Sequence, residues 1–201
     1  FRSKIYQNKV EEMQIAIVNK KGGVGKTPFA FSIAKDLGMF LQSNDNSCIE
    51  QIYQGKALIS DEVKPLENCV YDFGGFHASG VLAIVKTCDC VIVPCLPTYN
   101  SFLRTYETIN EIRSINQNII LLATDFKDAK EEQFLENELD KSFGDIPSFY
   151  FKNSKIINHA VNTGLSFMEL YNENPLMKHS YANFINEYRR LIKKIKQYER
   201  K

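Results

Sequence analysis

Short apolar runs alternate along this 201-residue chain with longer amphipathic segments. Runs that are rich in β-branched and aromatic residues predict β-strands, and the segments between them, with apolar positions three or four apart, predict helices. The predicted strands are Ile15–Asn19, Met39–Gln42, Cys69–Asp72, Cys90–Val93, Ile119–Ala123 and Phe149–Phe151. Helices are predicted to begin near Lys26, Ser47, Ala78, Tyr99, Asp128, Lys155 and Pro175.

This alternation is typical of stacked βαβ units, so the predicted fold class is α/β, with a mainly parallel twisted sheet flanked by helices. Ligands of such sheets bind at the carboxyl ends of the strands. No internal repeat or Ser/Gly/Pro-rich linker divides the chain. We therefore expect a single domain over residues 13–201, preceded at residues 1–12 by an N-terminal extension of undetermined origin.

Composition excludes several protein classes. Hydrophobic residues make up 44% of the chain and charged residues 24%, which is typical of a globular protein and not of a disordered one. The longest apolar run, Val91–Leu96, is too short to cross a bilayer, and no secretory leader is visible, so we expect a cytoplasmic protein without a transmembrane segment. The five cysteines form no C-x-x-C pair and are interpreted as free thiols.

The strongest motif, Lys-Lys-Gly-Gly-Val-Gly-Lys-Thr at residues 20–27, follows the first predicted strand and opens the first predicted helix. Glycines let backbone N–H groups converge on phosphate oxygens, and a helix N-terminus adds partial positive charge. In such a P-loop Lys26 reaches the β- and γ-phosphates and the Thr27 hydroxyl ligates Mg²⁺. The predicted nucleotide-binding residues of this loop are Gly22, Gly23, Val24, Gly25, Lys26, Thr27 and Pro28.

A lysine, Lys21, stands immediately before the double glycine, and with it the loop resembles the deviant Walker A motif of the ParA/MinD family of ATPases. The resemblance implies a P-loop NTPase fold, ATP or ADP and Mg²⁺ as cofactors, and a homodimer that encloses ATP between its subunits. It also implies that Lys21 reaches the phosphates bound by the partner subunit. A second cation here is most favourable where it faces dense negative charge.

Two later segments extend the resemblance. Cys69–Gly75 is an apolar strand that ends in an aspartate and a glycine turn, like the Walker B segment of the family. The resemblance implies that Asp72 joins Thr27 at the Mg²⁺ ion and that the N–H of Gly75 senses the γ-phosphate. Cys88–Pro97 is similar to the strand that follows in ParA proteins and is interpreted as framework.

The family's Asp-x-Asp-Pro string is altered in this chain. Ser43 replaces the first aspartate, Asp45 matches the second, and Asn46 replaces the proline. The resemblance implies that Asp45 positions the attacking water, which makes Lys21, Lys26 and Asp45 the expected catalytic residues. Asx-rich loops also cap helices, so the sequence leaves both roles open for Asp45. With one carboxylate missing, we expect slow hydrolysis that depends on a partner protein.

Positive charge is concentrated at the end of the chain. Residues 180–201 hold seven basic and two acidic side chains, although the whole chain carries a net charge of only +1. Apolar residues from Tyr181 to Tyr198 recur every three or four positions and predict a helix that packs on the domain. The other faces predict sequence-independent DNA binding through Arg189, Arg190, Lys193, Lys194 and Lys196. An anionic membrane surface is less favoured, and a merely solvated face stays open.

Together the motifs indicate a ParA-like ATPase that acts as an ATP-dependent dimeric switch in plasmid or chromosome partition, or in DNA transfer. We expect a ParB-like or other stimulating partner and association with the nucleoid. Three alternatives stay open: a nucleotide-dependent binding module that does not hydrolyse, a MinD-like membrane-associated ATPase, and a small-molecule ligase of the dethiobiotin-synthetase type. Adenine as the base follows from the resemblance alone, because Thr124–Lys127 matches no guanine-binding string.

Overall fold

A computed structural model describes residues 13–74 and 80–199 of the chain. The predicted extension at residues 1–12 and the predicted γ-phosphate sensor Gly75 lie outside the described residues. The strands are β1 Gln14–Val18, β2 Phe40–Ser43, β3 Ala57–Ile59, β4 Cys69–Phe73, β5 Cys90–Cys95, β6 Ile119–Phe126 and β7 Ser148–Lys152. The helices are α1 Lys26–Leu37, α2 Ile49–Ile52, α3 Val81–Thr87, α4 Tyr99–Ile112, α5 Ala129–Phe143, α6 Lys155–Thr163, α7 Phe167–Asn172 and α8 Pro175–Ile195.

The strands form one seven-stranded sheet in the order β3-β2-β4-β1-β5-β6-β7, and all described pairings are parallel. The α/β prediction is therefore confirmed. Strand β1 lies in the centre, where the chain first builds one half of the sheet and then crosses to build the other. Such a switch point opens a crevice at the carboxyl ends of the strands. The loops after β1, β2 and β4 meet at that edge, because Ile17 of β1 and Ser43 of β2 both pair with Asp72.

Most predicted elements form close to their expected positions. Helices α1, α4, α6 and α8 begin at the predicted residues, and Asp128 caps α5 by accepting hydrogen bonds from the N–H groups of Lys130 and Glu131. Strand β3 and helix α7 were not predicted, because three and six residues are too few to show a period. Helix α2 begins at Ile49, two residues later than expected, because the turn after β2 extends further.

Each face of the sheet carries its own apolar cluster, as expected for a sheet covered by helices on both sides. On one face Phe29 of α1 contacts Phe151 of β7 and Phe167 of α7, with ring centroids 4.8 and 5.2 Å apart. On the other face Tyr71 and Phe73 of β4 stack at 5.6 Å. Helix α1 is thus held firmly beneath the loop that begins it.

Helix α8 packs as its apolar spacing predicted. Its buried residues are Phe184, Ile185, Tyr188, Leu191 and Ile195. The Glu187 carboxylate accepts a hydrogen bond from the N–H of Tyr150, at 3.1 Å, on the edge strand β7. At the opposite edge the Glu50 carboxylate accepts a hydrogen bond from the N–H of Ile59 on β3, at 2.9 Å. Both edge strands therefore carry side-chain acceptors that limit pairing with another chain.

A partly buried carboxylate joins α8 to α1. Tyr188 donates a hydrogen bond to Asp36 Oδ2 at 2.9 Å, and Ser166, the N-cap of α7, donates to Oδ1. Burial raises the pKa of Asp36, and the two hydroxyl donors oppose that shift. Neighbouring Lys35 pairs with Glu169 of α7 at 2.6 Å. The end of α1 is therefore the anchor for both C-terminal helices.

Two expectations about composition can be compared with the fold. All five cysteines are free thiols, and all except Cys48 are buried, as expected. Among the helices that the structure describes, none combines the length and the apolar character needed to cross a membrane.

We predict that Tyr188→Phe lowers the free energy of unfolding by about 1–3 kcal/mol, because the partly buried Asp36 carboxylate loses one of its two hydroxyl donors. Urea denaturation followed by circular dichroism at neutral pH measures the change. Tyr181→Phe is the matched control, since Tyr181 is only partly buried against the same cluster. Equal midpoints for the two variants would contradict the anchoring role of Asp36.

Candidate nucleotide-binding site

The loop between β1 and α1 forms an open cradle. Gly23 and Gly25 have φ angles of +71° and +86°, in the left-handed region that side chains disfavour. A Cβ atom built on Gly22, Gly23 or Gly25 would meet no atom within 4 Å, so the cradle opens onto free space. Helix α1 begins directly after Gly25 with no side-chain cap. Its first N–H groups are therefore available to an anion.

A buried asparagine fixes where the loop starts. The side-chain amide of Asn19 donates to the carbonyl of Pro94 at 2.6 Å and to the Thr105 hydroxyl of α4 at 2.9 Å. Its side-chain oxygen accepts the N–H of Lys21 at 2.7 Å. The Thr124 hydroxyl at the end of β6 donates to the carbonyl of Val24 at 3.3 Å. The loop is thus tied to β5, α4 and β6.

Lys26 is buried at the floor of the cradle, with 6% of its surface exposed. Its ammonium donates to the carbonyl of Lys21 at 3.2 Å, closing the loop on itself. Burial lowers the pKa of Lys26, and the charges of Asp72 and Asp45 oppose that shift. A bound polyanion would restore the charged form, because it adds negative charge next to the ammonium.

Asp72 and Thr27 form a pair suited to Mg²⁺. The Thr27 hydroxyl donates to Asp72 Oδ2 at 2.6 Å, and Asp72 Oδ1 is buried without a hydrogen-bond partner among the described residues. Burial raises the pKa of Asp72 to about 6, although Thr27 and Lys26 oppose the shift. Mg²⁺ prefers hard oxygen ligands such as a carboxylate beside a hydroxyl. The donor set therefore fits the predicted cofactor.

Asp45 enters the same cleft from the loop after β2. The Asn44 side chain accepts the N–H of Gly74 at 2.7 Å, which pins this loop to the end of β4. A Cβ on Gly74 would lie 3.2 Å from Asp45 Oδ2, so a larger residue would crowd the carboxylate. The N-cap of α2 is Cys48, and the described residues show no hydrogen bond from the first turn of α2 to the Asp45 carboxylate. The alternative role as a helix cap is not observed.

The whole cleft, from the glycine loop to the ends of β6 and β7, has a volume of about 440 Å³. The wall opposite the loop combines apolar and polar side chains, and its members are Leu96, Thr124, Asp125, Asn153, Ser154, Ile157 and Asn158. Asp125 has a φ of +62° and accepts a hydrogen bond from the Asn153 amide. No sequence motif predicted that these residues line a cleft. The one indication in the sequence was their position, since Thr124–Asp125 and Asn153–Ser154 come at or just after the ends of β6 and β7.

The structure brings some predicted residues together and separates others. Gly23, Val24, Gly25, Lys26, Thr27, Pro28 and Asp45 all line the cleft, with Asp72 bonded to Thr27 beneath it. Lys21 is not among the described residues that line the cleft, and its ammonium has no hydrogen bond or ion pair within the described part of the chain. The neighbouring Lys20 pairs with Glu111 of α4 at 2.7 Å.

The basic side chains of α8 lie far from this cleft. Lys196 lines a cavity with Met13 and Asn68, which precede β1 and β4, so the end of α8 lies at the amino ends of the strands. Arg190 pairs with Glu187, and the Arg189 guanidinium lies 5.1 Å from the ring centre of Tyr171. Lys193 and Lys196 are exposed. The cleft and the end of α8 therefore lie at opposite ends of the sheet.

No protein-family model matches this chain. No curated protein matches it either. Solved structures do share its fold. An ATP complex of McdA from Cyanothece is 13% identical, with 89% of this chain and 96% of that chain covered and a TM-score of 0.60.

Two further structures are similar to the same extent. The MinC:MinD cell division protein complex of Aquifex aeolicus is 15% identical, covering 90% of this chain and 95% of that chain at a TM-score of 0.62. A protein described as a plasmid partition protein of Borrelia burgdorferi B31, bound to AMPPNP, is 14% identical, covering 89% and 99% at 0.60. The chain therefore has the fold of ParA/MinD-type P-loop ATPases, as the sequence predicted.

We predict that Asp72→Asn stabilises the ligand-free protein above pH 6. The folded pKa of about 6 lies above the unfolded value of 3.8, so the stability linked to this group is full below the unfolded value and is lost as the pH rises through 6. Asp72→Asn has no carboxyl group to ionise there, so its free energy of unfolding at pH 7.5 should exceed that of the parent protein by roughly 1–3 kcal/mol.

Urea denaturation at pH 4.5 and pH 7.5 measures this effect for Asp72→Asn and the parent protein. Adding Mg²⁺ with a nucleotide should stabilise the parent protein and leave Asp72→Asn at its nucleotide-only value. An Asp72→Asn protein that still responds to Mg²⁺, or one that is less stable than the parent at pH 7.5, would contradict this assignment.

Proposed function

We propose that this chain is a ParA/MinD-type ATPase that binds ATP with Mg²⁺, forms an ATP-enclosing homodimer and separates again after hydrolysis. One observation carries the proposal: a buried lysine, a Thr–Asp pair with an unpartnered oxygen, and a second carboxylate meet at an open glycine cradle. That combination suits a metal-bound triphosphate, because the buried charges of Lys26 and Asp72 would be costly without such a ligand.

The described residues divide the work of the site. The cradle N–H groups and Lys26 would hold the phosphates, Thr27 and Asp72 would hold Mg²⁺, and Asp45 would orient the attacking water. When bound, the metal ion would neutralise charge that develops on the phosphates. Gly75 stays a proposed γ-phosphate sensor. With Ser43 in place of a carboxylate, we expect slow hydrolysis that a partner protein stimulates.

Adenine is the proposed base. The related folds were solved with ATP or its analogue AMPPNP. In this chain the side-chain NH2 group of Asn153 donates a hydrogen bond to Asp125. The side-chain oxygen of Asn153 is therefore left as an acceptor on the cleft wall. An acceptor suits the exocyclic amino group of adenine and opposes the O6 acceptor of guanine. Competition between ATP and GTP for the site tests this preference.

The homodimer rests on Lys21. Its backbone is fixed at both ends, the N–H by Asn19 and the carbonyl by Lys26, while its side chain lies outside its own cleft. A cation held at the rim by a rigid backbone is suited to reach phosphates bound by a second copy. The dimer would then form only when nucleotide is present, because two apposed lysines repel each other without an anion between them.

We predict that Lys21→Ala abolishes dimerisation with Mg²⁺ and AMPPNP while changing nucleotide affinity less than about threefold. Lys26→Ala should instead lower affinity at least about 100-fold, since it removes a buried contact with the phosphates. Light scattering after size-exclusion chromatography measures mass, and titration calorimetry measures binding. Lys20→Ala is the matched control because Lys20 pairs with Glu111. A parent protein that binds nucleotide and stays monomeric would refute the sandwich.

We further propose that the exposed face of α8 binds DNA without reading sequence. From Asn183 to Lys193 its exposed residues are basic or amidic, and the one acidic side chain within the helix, Glu187, faces β7. Because this face lies opposite the cleft, nucleotide would control DNA binding by joining two such faces in a dimer, which raises avidity. This arrangement suits a role in partition or DNA transfer with a ParB-like partner, in a cytoplasmic protein associated with the nucleoid.

We predict that the double variant Lys193→Ala, Lys196→Ala binds a random-sequence duplex at least about tenfold more weakly and lowers the salt slope by about two. Fluorescence anisotropy at several salt concentrations measures both quantities. The control is Lys127→Ala, Lys130→Ala, which removes the same charge from two exposed positions, just after β6 and in the first turn of α5, at the other end of the sheet.

Anionic vesicles are the second arm of that experiment. Binding to vesicles without binding to DNA would favour a MinD-like ATPase that associates with membranes. Binding to neither would show that the exposed face of α8 contacts only solvent.

Ser43 favours a second candidate function, a binding module that is switched by nucleotide and does not hydrolyse it. Phosphate release in the presence of DNA separates the two. Background rates that Asp45→Ala does not lower would support the module, and a rate that Asp45→Ala abolishes would support the ATPase.

A further inference from the structure

Ser43 is the last residue of β2 and is completely buried. Its Cα pairs with that of Asp72 on β4, so its side chain lies beside the proposed metal-binding carboxylate. The Asn44–Asp45 loop begins directly after it. Ser43 is therefore the residue through which the end of β4 and the Asp45 loop meet.

The Ser43 hydroxyl lies within hydrogen-bond distance of both Asp45 and Asp72. It accepts the N–H of Asp45 at 3.1 Å, which closes a turn of the kind that Ser, Thr, Asn and Asp form with the residue two positions on. Its single proton faces three acceptors: the main-chain carbonyl of Asp72 at 3.1 Å, that of Asp45 at 3.3 Å, and Asp72 Oδ2 at 3.5 Å. One hydroxyl thus orders the backbone of Asp45 against the strand that carries Asp72.

We propose that Ser43 is a positioning residue for Asp45, whose hydroxyl holds the turn that carries Asp45 into the phosphate cleft without placing a second negative charge beside Asp72. This inference rests on the proposed nucleotide-binding function. An aspartate at position 43 could close the same turn, because its oxygen accepts the same N–H. It would also put two carboxylates side by side in a buried site whose nearby described cation is Lys26.

The test compares Ser43→Ala, Ser43→Asn and Ser43→Asp in the full chain. Affinity for a fluorescent ATP analogue is measured with and without Mg²⁺, and turnover is measured by phosphate release. Ser32→Ala is the matched control, because Ser32 is also completely buried and its hydroxyl has no partner among the described residues. It should match the parent protein in both assays.

The three variants should separate the effect of the Ser43–Asp45 turn from the effect of a second negative charge beside Asp72. Ser43→Ala should lower kcat at least about tenfold with KM changed less than about threefold, since a misplaced group loses rate more than binding. Ser43→Asn, which supplies an uncharged acceptor, should restore kcat to within about threefold of the parent protein. Ser43→Asp should keep the turn and lower nucleotide affinity without Mg²⁺ by at least about tenfold, with most of the loss recovered when Mg²⁺ is added.

Two results would overturn the proposal: an equal loss of affinity and turnover in Ser43→Ala, or a failure of Ser43→Asn to restore turnover. If the parent protein binds nucleotide and releases no phosphate, the hydrolytic part of the proposed function fails by itself. The positioning role of Ser43 is then tested by hydrogen exchange of the Asp45 backbone amide, measured in the presence of Mg²⁺ and AMPPNP. Faster exchange in Ser43→Ala that Ser43→Asn reverses supports the role of Ser43, and unchanged exchange refutes it.

Discussion

Two ionisable groups that normally stay in water, the Lys26 ammonium and the Asp72 carboxylate, are buried at the carboxyl edge of the sheet. They influence each other's pKa without forming an ion pair in the described structure. Burial opposes the charged form of each group, so the ligand-free site holds unfavourable electrostatic energy. A polyanion beside the lysine and a divalent cation beside the carboxylate would relieve both penalties. The remaining features of the molecule can be understood as support for this arrangement.

The fold enforces that burial through the order of its strands. Because β1 is central, the loop that follows it lies between the ends of β4 and β5, and Asn19 ties it to β5 and α4. Parallel pairing places Ser43 next to Asp72 and brings the Asp45 loop over the cradle. Helix α1 is anchored at its far end through Asp36, which accepts hydrogen bonds from Ser166 and Tyr188. The loop is therefore held from below and from both sides.

The same architecture limits how two copies can associate. One N–H group of each edge strand is bonded to a glutamate, Ile59 to Glu50 and Tyr150 to Glu187, which disfavours extension of the sheet from one copy to the next. Lys21 does not line its own cleft, and its ammonium has no hydrogen bond or ion pair among the described residues. The end of α8 lies at the other end of the sheet. In the proposed function, nucleotide would therefore influence DNA binding through assembly of the dimer, because the two sites share no described residue.

Local patterns in the sequence determined the six longer strands, seven of the eight helices within residues 13–74 and 80–199, and the phosphate loop, because these features depend on neighbouring residues: runs of β-branched side chains, helical spacing, and glycines before a lysine. Tertiary structure alone decided what comes together from distant segments. The cleft wall unites Asp125 with Asn153, and the Ser43 hydroxyl meets the main-chain carbonyl of Asp72, 29 residues away in the chain. Strand β3 and helix α7 are too short to show a recognisable sequence pattern, and contacts with neighbouring elements hold them in place. Where the basic face of α8 lies relative to the cleft likewise depends on the path of the chain across the sheet, which no local pattern encodes.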